Sequence, residues 1–366
     1  MANFYLSELL SIFHIFPKRI ETREIVSFRV QELKRVFVTG QIAEEALQLL
    51  RRDAEVEVHP KEASPEKDEL IKQVKRVHGL VTLLTDRIDA EIINQAVNLE
   101  VISNVAVGYD NIDVEAATKK GIYVTNTPGV LDDATADLTF ALILAIARRI
   151  PEADSFVRAG LWRGWHPNLF LGTDLKNKTL GIIGLGRIGT AVAQRAKCFK
   201  MNILYYQPTR DPEKEKSLGA RYVSLEELLS LSDFVSLHVP LTKETRGMIG
   251  KKEINKMKKT AYLINTSRGP VIDETALCEA LTEGKIKGAA LDVFNVEPIS
   301  ANNPLLKLKN VVLTPHIGSA TQETRTSMAV LAAENMIIAL RGEVPPCLVN
   351  PQALKHRKRG TEPTNL

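Results

Sequence analysis

Three cysteines in 366 residues, Cys198, Cys278 and Cys347, are too scattered for a disulfide framework. Their scarcity and odd number point to a reducing compartment. Histidine and cysteine show no zinc-ligand spacing, so no metal is expected. Aromatic residues are only 5% of the chain and do not interleave with basic ones, which argues against a nucleic-acid surface. Long apolar runs are also missing. Ala141 to Ala147 is fully apolar but far too short to cross a bilayer. The apolar stretch Leu9 to Phe16 is flanked by Glu8 and interrupted by His14. It has no basic segment before it and no small-residue cleavage site after it, so a secretory signal is not expected. A cytoplasmic protein with no membrane partner is the expectation.

Charge of one sign is lacking too. The net charge is +4, and the segment from Gln352 to Leu366 holds Lys355, Arg357, Lys358 and Arg359 against Glu362, leaving the rest nearly neutral. That basic end (351–366) reads as a solvated tail rather than a nucleic-acid contact. What remains is an ordinary globular composition, 44% apolar and 25% charged, at a length that suits about two domains.

Residues 1–34 show no clear period and read as an extension. From Arg35 onward, short apolar runs alternate with helical patterns. Strands are expected at Val36–Thr39, Ala54–Val58, Gly79–Leu84, Val101–Asn104 and Tyr123–Asn126, with helices at Ala43–Arg52 and Lys67–Val77 among them. Such alternation implies a parallel α/β sheet. Asp132 to Arg149 follows as a helix, acidic at its start and basic at its end, with Pro151 expected to stop it. Apolar on nearly every side from Leu138 to Ala147, it must be buried in a large core or at a subunit interface, and the interface is preferred. A homodimer is therefore expected.

Thr179 to Gly189 is the most informative stretch. A short apolar strand runs into Gly184, Gly186 and Gly189, a G-x-G-x-x-G pattern, and a helix follows from Ile188 to Lys200. The first glycine permits the turn, the second lets backbone approach a pyrophosphate, and the third lets the helix pack on the strand. Gly184, Gly186, Arg187, Ile188 and Gly189 are thus the expected phosphate-side cofactor residues. A whole α/β unit precedes this turn, and the helix Gln322–Leu340 follows the last strand, Val311–Thr314, before Pro345-Pro346 ends the regular structure. The expected fold class is α/β, with two doubly wound parallel-sheet domains. A Rossmann nucleotide domain (127–316) is inserted into a discontinuous, flavodoxin-like substrate domain (35–126 and 317–350).

Downstream, polar residues stand where strands end: Asn265-Thr-Ser-Arg268-Gly-Pro, Ala290-Leu-Asp292 to Glu297-Pro298, and Leu313-Thr-Pro-His316. Ligands of doubly wound sheets bind at the carboxyl ends of strands, so Arg268, Asp292, Glu297 and His316 are expected to face one crevice. Each has a bland reading alone, as an ion pair, a loop charge or a loop histidine. Their joint placement behind a dinucleotide turn favours a site.

These segments, with Val105-Ala-Val-Gly-Tyr-Asp-Asn-Ile-Asp113 and Thr127-Pro-Gly-Val130, resemble the signatures of the D-isomer-specific 2-hydroxyacid dehydrogenases over about Arg35 to Asn350. Leu83 to Asp89 and the loop Trp162-Arg-Gly-Trp165-His166 most resemble the glyoxylate/hydroxypyruvate reductases of that family. The resemblance implies a catalytic set of Arg268, Glu297 and His316, a substrate carboxylate held by Arg268 and the backbone near Val107 and Gly108, and Asp292 at the nicotinamide amide. The chemistry suits the types: an imidazolium can protonate a carbonyl oxygen, a carboxylate can orient it, and a guanidinium can grip a carboxylate. Trp165 is expected either at the substrate pocket or in packing.

The carboxylate that usually binds the ribose of NAD is replaced by Gln207, 23 residues after Gly184. With Thr209 and Arg210 next, NADP(H) is favoured over NAD(H), with Asp211 the residue that could reverse the choice. The expected function is an NADPH-preferring reductase of small 2-oxo acids. Phosphoglycerate dehydrogenase is a rival, although the 16 residues after Asn350 are too few for the regulatory domain such enzymes often carry. A nucleotide-sensing, co-repressor-like binding protein is the rival from another class.

Overall fold

Val36, Phe37 and Val38 are each at most 1% exposed, and they divide between two cores: Val36 and Val38 face one, Phe37 the other. That division recurs across the computed structural model, which describes residues 33–61 and 63–357. The first half runs β1 (Lys34–Val38), α1 (Glu44–Arg51), β2 (Ala54–Val58), α2 (Lys67–Val74), β3 (Gly79–Thr82), α3 (Ala90–Gln95), β4 (Val101–Asn104), α4 (Val114–Lys119), β5 (Tyr123–Thr125), α5 (Asp132–Arg148) and α6 (Ile150–Arg158). It continues as β6 (Thr179–Ile183), α7 (Arg187–Cys198), β7 (Asn202–Tyr206), α8 (Pro212–Leu218), β8 (Ala220–Tyr222), α9 (Leu225–Leu231), β9 (Phe234–Leu237), α10 (Lys251–Ile254) and β10 (Tyr262–Asn265). Last come α11 (Glu274–Thr282), β11 (Gly288–Leu291), β12 (Val311–Leu313) and α12 (Gln322–Leu340).

The strands form two wholly parallel sheets, one of five in the order β2-β1-β3-β4-β5 and one of seven in the order β12-β11-β10-β9-β6-β7-β8. These are the flavodoxin-like and Rossmann-like windings, as the sequence pattern predicts. Both faces of each sheet are covered, which is why the strands read as nearly continuous apolar runs. In the first sheet Val81, Val101 and Tyr123 face α1 and α12, while Leu80, Ile102 and Val124 face the core shared with α2 and α3. Fully burying one such side chain contributes roughly 1.5–3 kcal/mol.

Several expectations need correcting. Pro151 does not end the regular structure: the chain breaks at Arg149, whose φ is 57°, and Pro151 then sits in the first turn of α6. A proline there loses no bond, because the first helical N–H groups have no partner within the helix. The apolar helix α5 is a core element on one side, packing on α7, β10 and β11 through Phe140, Ile143, Ile146 and Ala147. Ala141, on its other side, is exposed.

The start of the basic end is not free in solvent either. After Pro345-Pro346 the chain forms a short 3-10 turn, Pro351–Lys355, and Ala353 is fully buried. The Arg357 guanidinium stacks 4.0 Å over the Tyr123 ring. Residues 358–366, like nearly all of the expected extension, lie outside the described residues. Among the described residues, no helix is long and apolar enough to cross a membrane.

Candidate active site

The carboxyl ends of both sheets open on one cleft of about 440 Å³. Its floor is the glycine-rich turn between β6 and α7. Gly184 has φ 95°, and a Cβ there would stand 2.6 Å from the His238 carbonyl oxygen. A Cβ on Gly189 would stand 2.1 Å from the Gly184 oxygen, so α7 seats on the turn only because that side chain is missing. A Cβ at Gly186, the residue before α7, would meet nothing within 4 Å. Open space in front of the helix's N-terminal amides fits a pyrophosphate. Gly186, Arg187 and Ile188 line the cleft.

The loop after β7 is tightly bonded. Gln207 accepts from the Leu185 N–H at 3.1 Å and donates to the Thr209 carbonyl at 2.7 Å, tying its loop to the glycine-rich turn. Arg210 forks onto Glu215 at 2.7 and 2.8 Å. With the Tyr205 hydroxyl also donating to it, the Glu215 carboxyl is held down to about 2, chiefly by Arg210. Asp211 is held at both carboxylate oxygens by Lys214, one of them 3.2 Å from its Nζ. Its carboxylate caps α8 by accepting from the Lys214 N–H at 3.1 Å. Lys214, which the sequence reading passed over, donates from Nζ to the Leu185 carbonyl at 2.9 Å.

At the other end of the cleft, Arg268 follows β10. Its Nε donates to Asp110 at 2.9 Å, and one Nη donates to the Ser267 carbonyl at 2.8 Å. The other Nη lies 1.7 Å from where a Cβ on Gly108 would be, so only glycine admits the guanidinium. Asn126 donates to the Val107 carbonyl and Asn104 to the Gly108 carbonyl, each at 2.8 Å. Among the described residues the N–H groups of Val107 and Gly108 have no partner. A guanidinium and two free amides in one cleft can hold a carboxylate.

His316 follows β12, with φ 52°. Its Nδ1 donates to Glu297 at 2.6 Å, since an ionised carboxylate only accepts, and this leaves Nε2 for a ligand. The other Glu297 oxygen accepts from the Phe294 N–H at 3.0 Å. Burial opposes ionisation of Glu297, but the bonds from His316 and Phe294, with the nearby charges, outweigh it and hold the carboxyl below its ordinary value. Asp292, expected at the nicotinamide, is 1% exposed and braces the His316 loop. It accepts from Thr314 Oγ1 at 2.6 Å and from the N–H groups of Ile317 and Gly318, each at 2.8 Å.

The structure thus brings Arg268, His316, Asp292, Val107 and Gly108 into the lining of one cleft, with Glu297 behind His316. Trp165 belongs to neither large cavity; it is 84% exposed. Asp110 and Arg325 were missed. Asp110 sits inside the Gly-Tyr-Asp-Asn segment already singled out, so a signal existed. Arg325 sits in an ordinary amphipathic helix and gave none.

A family model described as D-isomer specific 2-hydroxyacid dehydrogenase, NAD binding domain, matches residues 140–318. The chain is 58% identical over 324 residues to a glyoxylate reductase of Thermococcus litoralis, covering 87% of this chain and 98% of that one. It is 56% identical over 327 residues to a glyoxylate reductase of Korarchaeum cryptofilum, covering 89% and 98%. Among solved structures, a glyoxylate reductase from Paecilomyes thermophila is similar at TM-score 0.79 and 35% identity, covering 87% of this chain and 99% of that one. An NADPH-dependent glyoxylate/hydroxypyruvate reductase from Sinorhizobium meliloti, solved with NADP and malonate, is similar at TM-score 0.78 and 32% identity, covering 89% and 99%.

Proposed function

The chain belongs to the D-isomer specific 2-hydroxyacid dehydrogenase family, an NAD(P)-dependent oxidoreductase family, and from that premise we propose that it reduces small 2-oxo acids, glyoxylate to glycolate and hydroxypyruvate to D-glycerate. The observation that carries this reading is the His316–Glu297 pair standing in the same cleft as Arg268 and the free amides of Val107 and Gly108.

The substrate carboxylate is held by Arg268 and those two amides, which leaves its 2-oxo group toward His316. When bound, the reduced nicotinamide supplies a hydride to the carbonyl carbon. His316 delivers a proton from Nε2 to the carbonyl oxygen, and Glu297 stabilises the imidazolium and keeps Nδ1 turned away from the substrate. Asp292 keeps the His316 loop in place. Gly184, Gly186, Arg187, Ile188 and Gly189 would hold the cofactor's phosphates.

NADPH is the preferred cofactor on this reading, because Gln207 at the end of β7 puts no carboxylate against a 2′-phosphate and Thr209 and Arg210 offer donors beside it. One observation favours NADH instead: Arg210 already carries a carboxylate partner, Glu215. The domain division read from the sequence, with the nucleotide domain at 127–316, is retained as part of this proposal. So is a homodimer, whose interface would cover the exposed Ile150, Val157, Leu161, Trp162, Trp165 and Leu171.

The test is the initial rate of dihydronicotinamide consumption with glyoxylate, comparing NADPH with NADH at matched concentration. Rapid loss favouring NADPH supports the whole reading, and loss favouring NADH keeps the reductase but reverses the cofactor. No turnover with any 2-oxo acid, phosphohydroxypyruvate included, would leave the co-repressor-like binding protein as the better account.

A further inference from the structure

A second cavity of about 830 Å³ adjoins the cleft, and among the described residues only Leu84, Val105, His316 and Arg325 line both. The groups that would hold a substrate carboxylate, Arg268 and Gly108, line the first cavity alone. On the reading above, a bound 2-oxo acid would run from the Arg268 end, past His316 at its carbonyl, toward the junction of the two cavities. A substituent on its carbon 3 would then stand beside Leu84, Val105 and Arg325.

Three of those four junction residues have an evident reason to be there: two are apolar walls and the third is the proposed proton donor. Arg325 has none. It stands in the second turn of α12 with its side chain open to the cleft, and among the described residues its guanidinium makes no hydrogen bond or ion pair. Asp292, the anion that acts on it electrostatically, has its carboxylate engaged with Thr314, Ile317 and Gly318 instead. The walls around the second cavity are mostly apolar, among them Ile42, Leu83, Phe294 and Ile299. The guanidinium is open to water on the cleft side, and an oxygen ligand there would give it the charged hydrogen bond that no described residue supplies.

We propose that Arg325 reads an oxygen substituent on carbon 3 of the substrate, so that among 2-oxo acids longer than glyoxylate the site selects those bearing a hydroxyl or carboxylate there over their unsubstituted counterparts. The inference rests on the 2-oxo acid reading above and adds to it the residue that would set selectivity at carbon 3. Hydroxypyruvate fits the class, whereas pyruvate, the same acid without the oxygen, leaves Arg325 unmatched. A site that hydrogen-bonds a substrate oxygen discriminates strongly against the analogue lacking it, because the protein's own donor is left without a partner.

The test compares kcat/KM for hydroxypyruvate and pyruvate in the wild type, Arg325→Met and Arg325→Lys. Any difference in intrinsic carbonyl reactivity cancels between the proteins. In Arg325→Met the hydroxypyruvate-to-pyruvate ratio should fall about 10- to 100-fold, as loss of a charged hydrogen bond implies, with Arg325→Lys restoring part of it. A second readout needs no turnover: calorimetric binding of tartronate, which has a carboxylate on the carbinol carbon, and of oxamate, which has none, to the NADPH-loaded protein. Arg325→Met should weaken tartronate far more than oxamate. A ratio unchanged within about twofold, or equal weakening of both ligands, overturns the proposal and leaves Arg325 as a counter-charge to Asp292. If the wild type reduces no 2-oxo acid, the reductase reading fails, and the tartronate–oxamate comparison still decides the role of Arg325.

Discussion

Asp110, on the loop after β4, accepts a hydrogen bond from Nε of Arg268, on the loop after β10, at 2.9 Å. The two loops belong to different sheets, so the contact spans the cleft and sets the guanidinium against Gly108. Replacing Asp110 by Asn keeps the shape and removes the charge that aims Arg268. The expected result is a KM for glyoxylate raised about tenfold, with a smaller change in kcat, as weaker ground-state binding implies. Steady-state kinetics on the variant checks it; an unchanged KM would mean that Gly108 and Ser267 suffice to aim the guanidinium.

His316→Ala should retain NADPH binding, followed by quenching of protein fluorescence, while the reduction rate drops about 10²- to 10⁴-fold, the usual worth of a positioned general acid. Near-normal turnover would remove His316 from the mechanism.

Glu297 gives the pH prediction. Its carboxyl lies below its ordinary value in the folded protein, so it stays ionised through the neutral range and is neutralised only as the pH falls through that lowered value. Below that value the bond from His316 Nδ1 loses its ionised acceptor, so kcat/KM for reduction should fall at the acid end. In Glu297→Gln, which has no carboxyl to titrate, that acid limb should disappear. A limb that persists in the variant would show that another group titrates there.

Cofactor choice is testable at Glu215 as well as at Arg210. Arg210→Ala should weaken NADPH far more than NADH. Glu215→Gln should do the reverse, freeing Arg210 and improving NADPH relative to NADH by roughly three- to tenfold, the scale of one partly exposed charge pair. Equal effects on both cofactors, in titrations of each variant, would take Arg210 away from the 2′-phosphate.

Gly189→Ala tests the seat of α7. The added Cβ would overlap the Gly184 oxygen, so the turn must shift or the helix must lift. A loss of about 1–3 kcal/mol is expected, typical of overpacking, along with weaker binding of both cofactors. Thermal unfolding and cofactor titration measure the two effects.

Much of this protein was legible in the chain because the signals are local. Apolar runs buried on both sides mark parallel strands, and the helix Gln322–Leu340 was read to the residue. Gly184, Gly186 and Gly189 mark a turn whose geometry depends on a few neighbouring atoms. Arg268, Asp292, Glu297 and His316 could be placed together because parallel winding brings every strand's carboxyl end to one side of a sheet. What the chain could not determine depends on pairs far apart in sequence. Asp110 meets Arg268 across 158 positions, a partnership set by how the two sheets face each other. Lys214 reaches the Leu185 carbonyl, and Asp211 caps α8, because a helix begins at Pro212. Arg325 looks like any solvated helix charge until folding brings α12 to the junction of two cavities and leaves its guanidinium unpaired. Periodicity and turn chemistry are properties of neighbours, so they can be read along the chain. The partner of a charge is decided only when the chain has closed on itself.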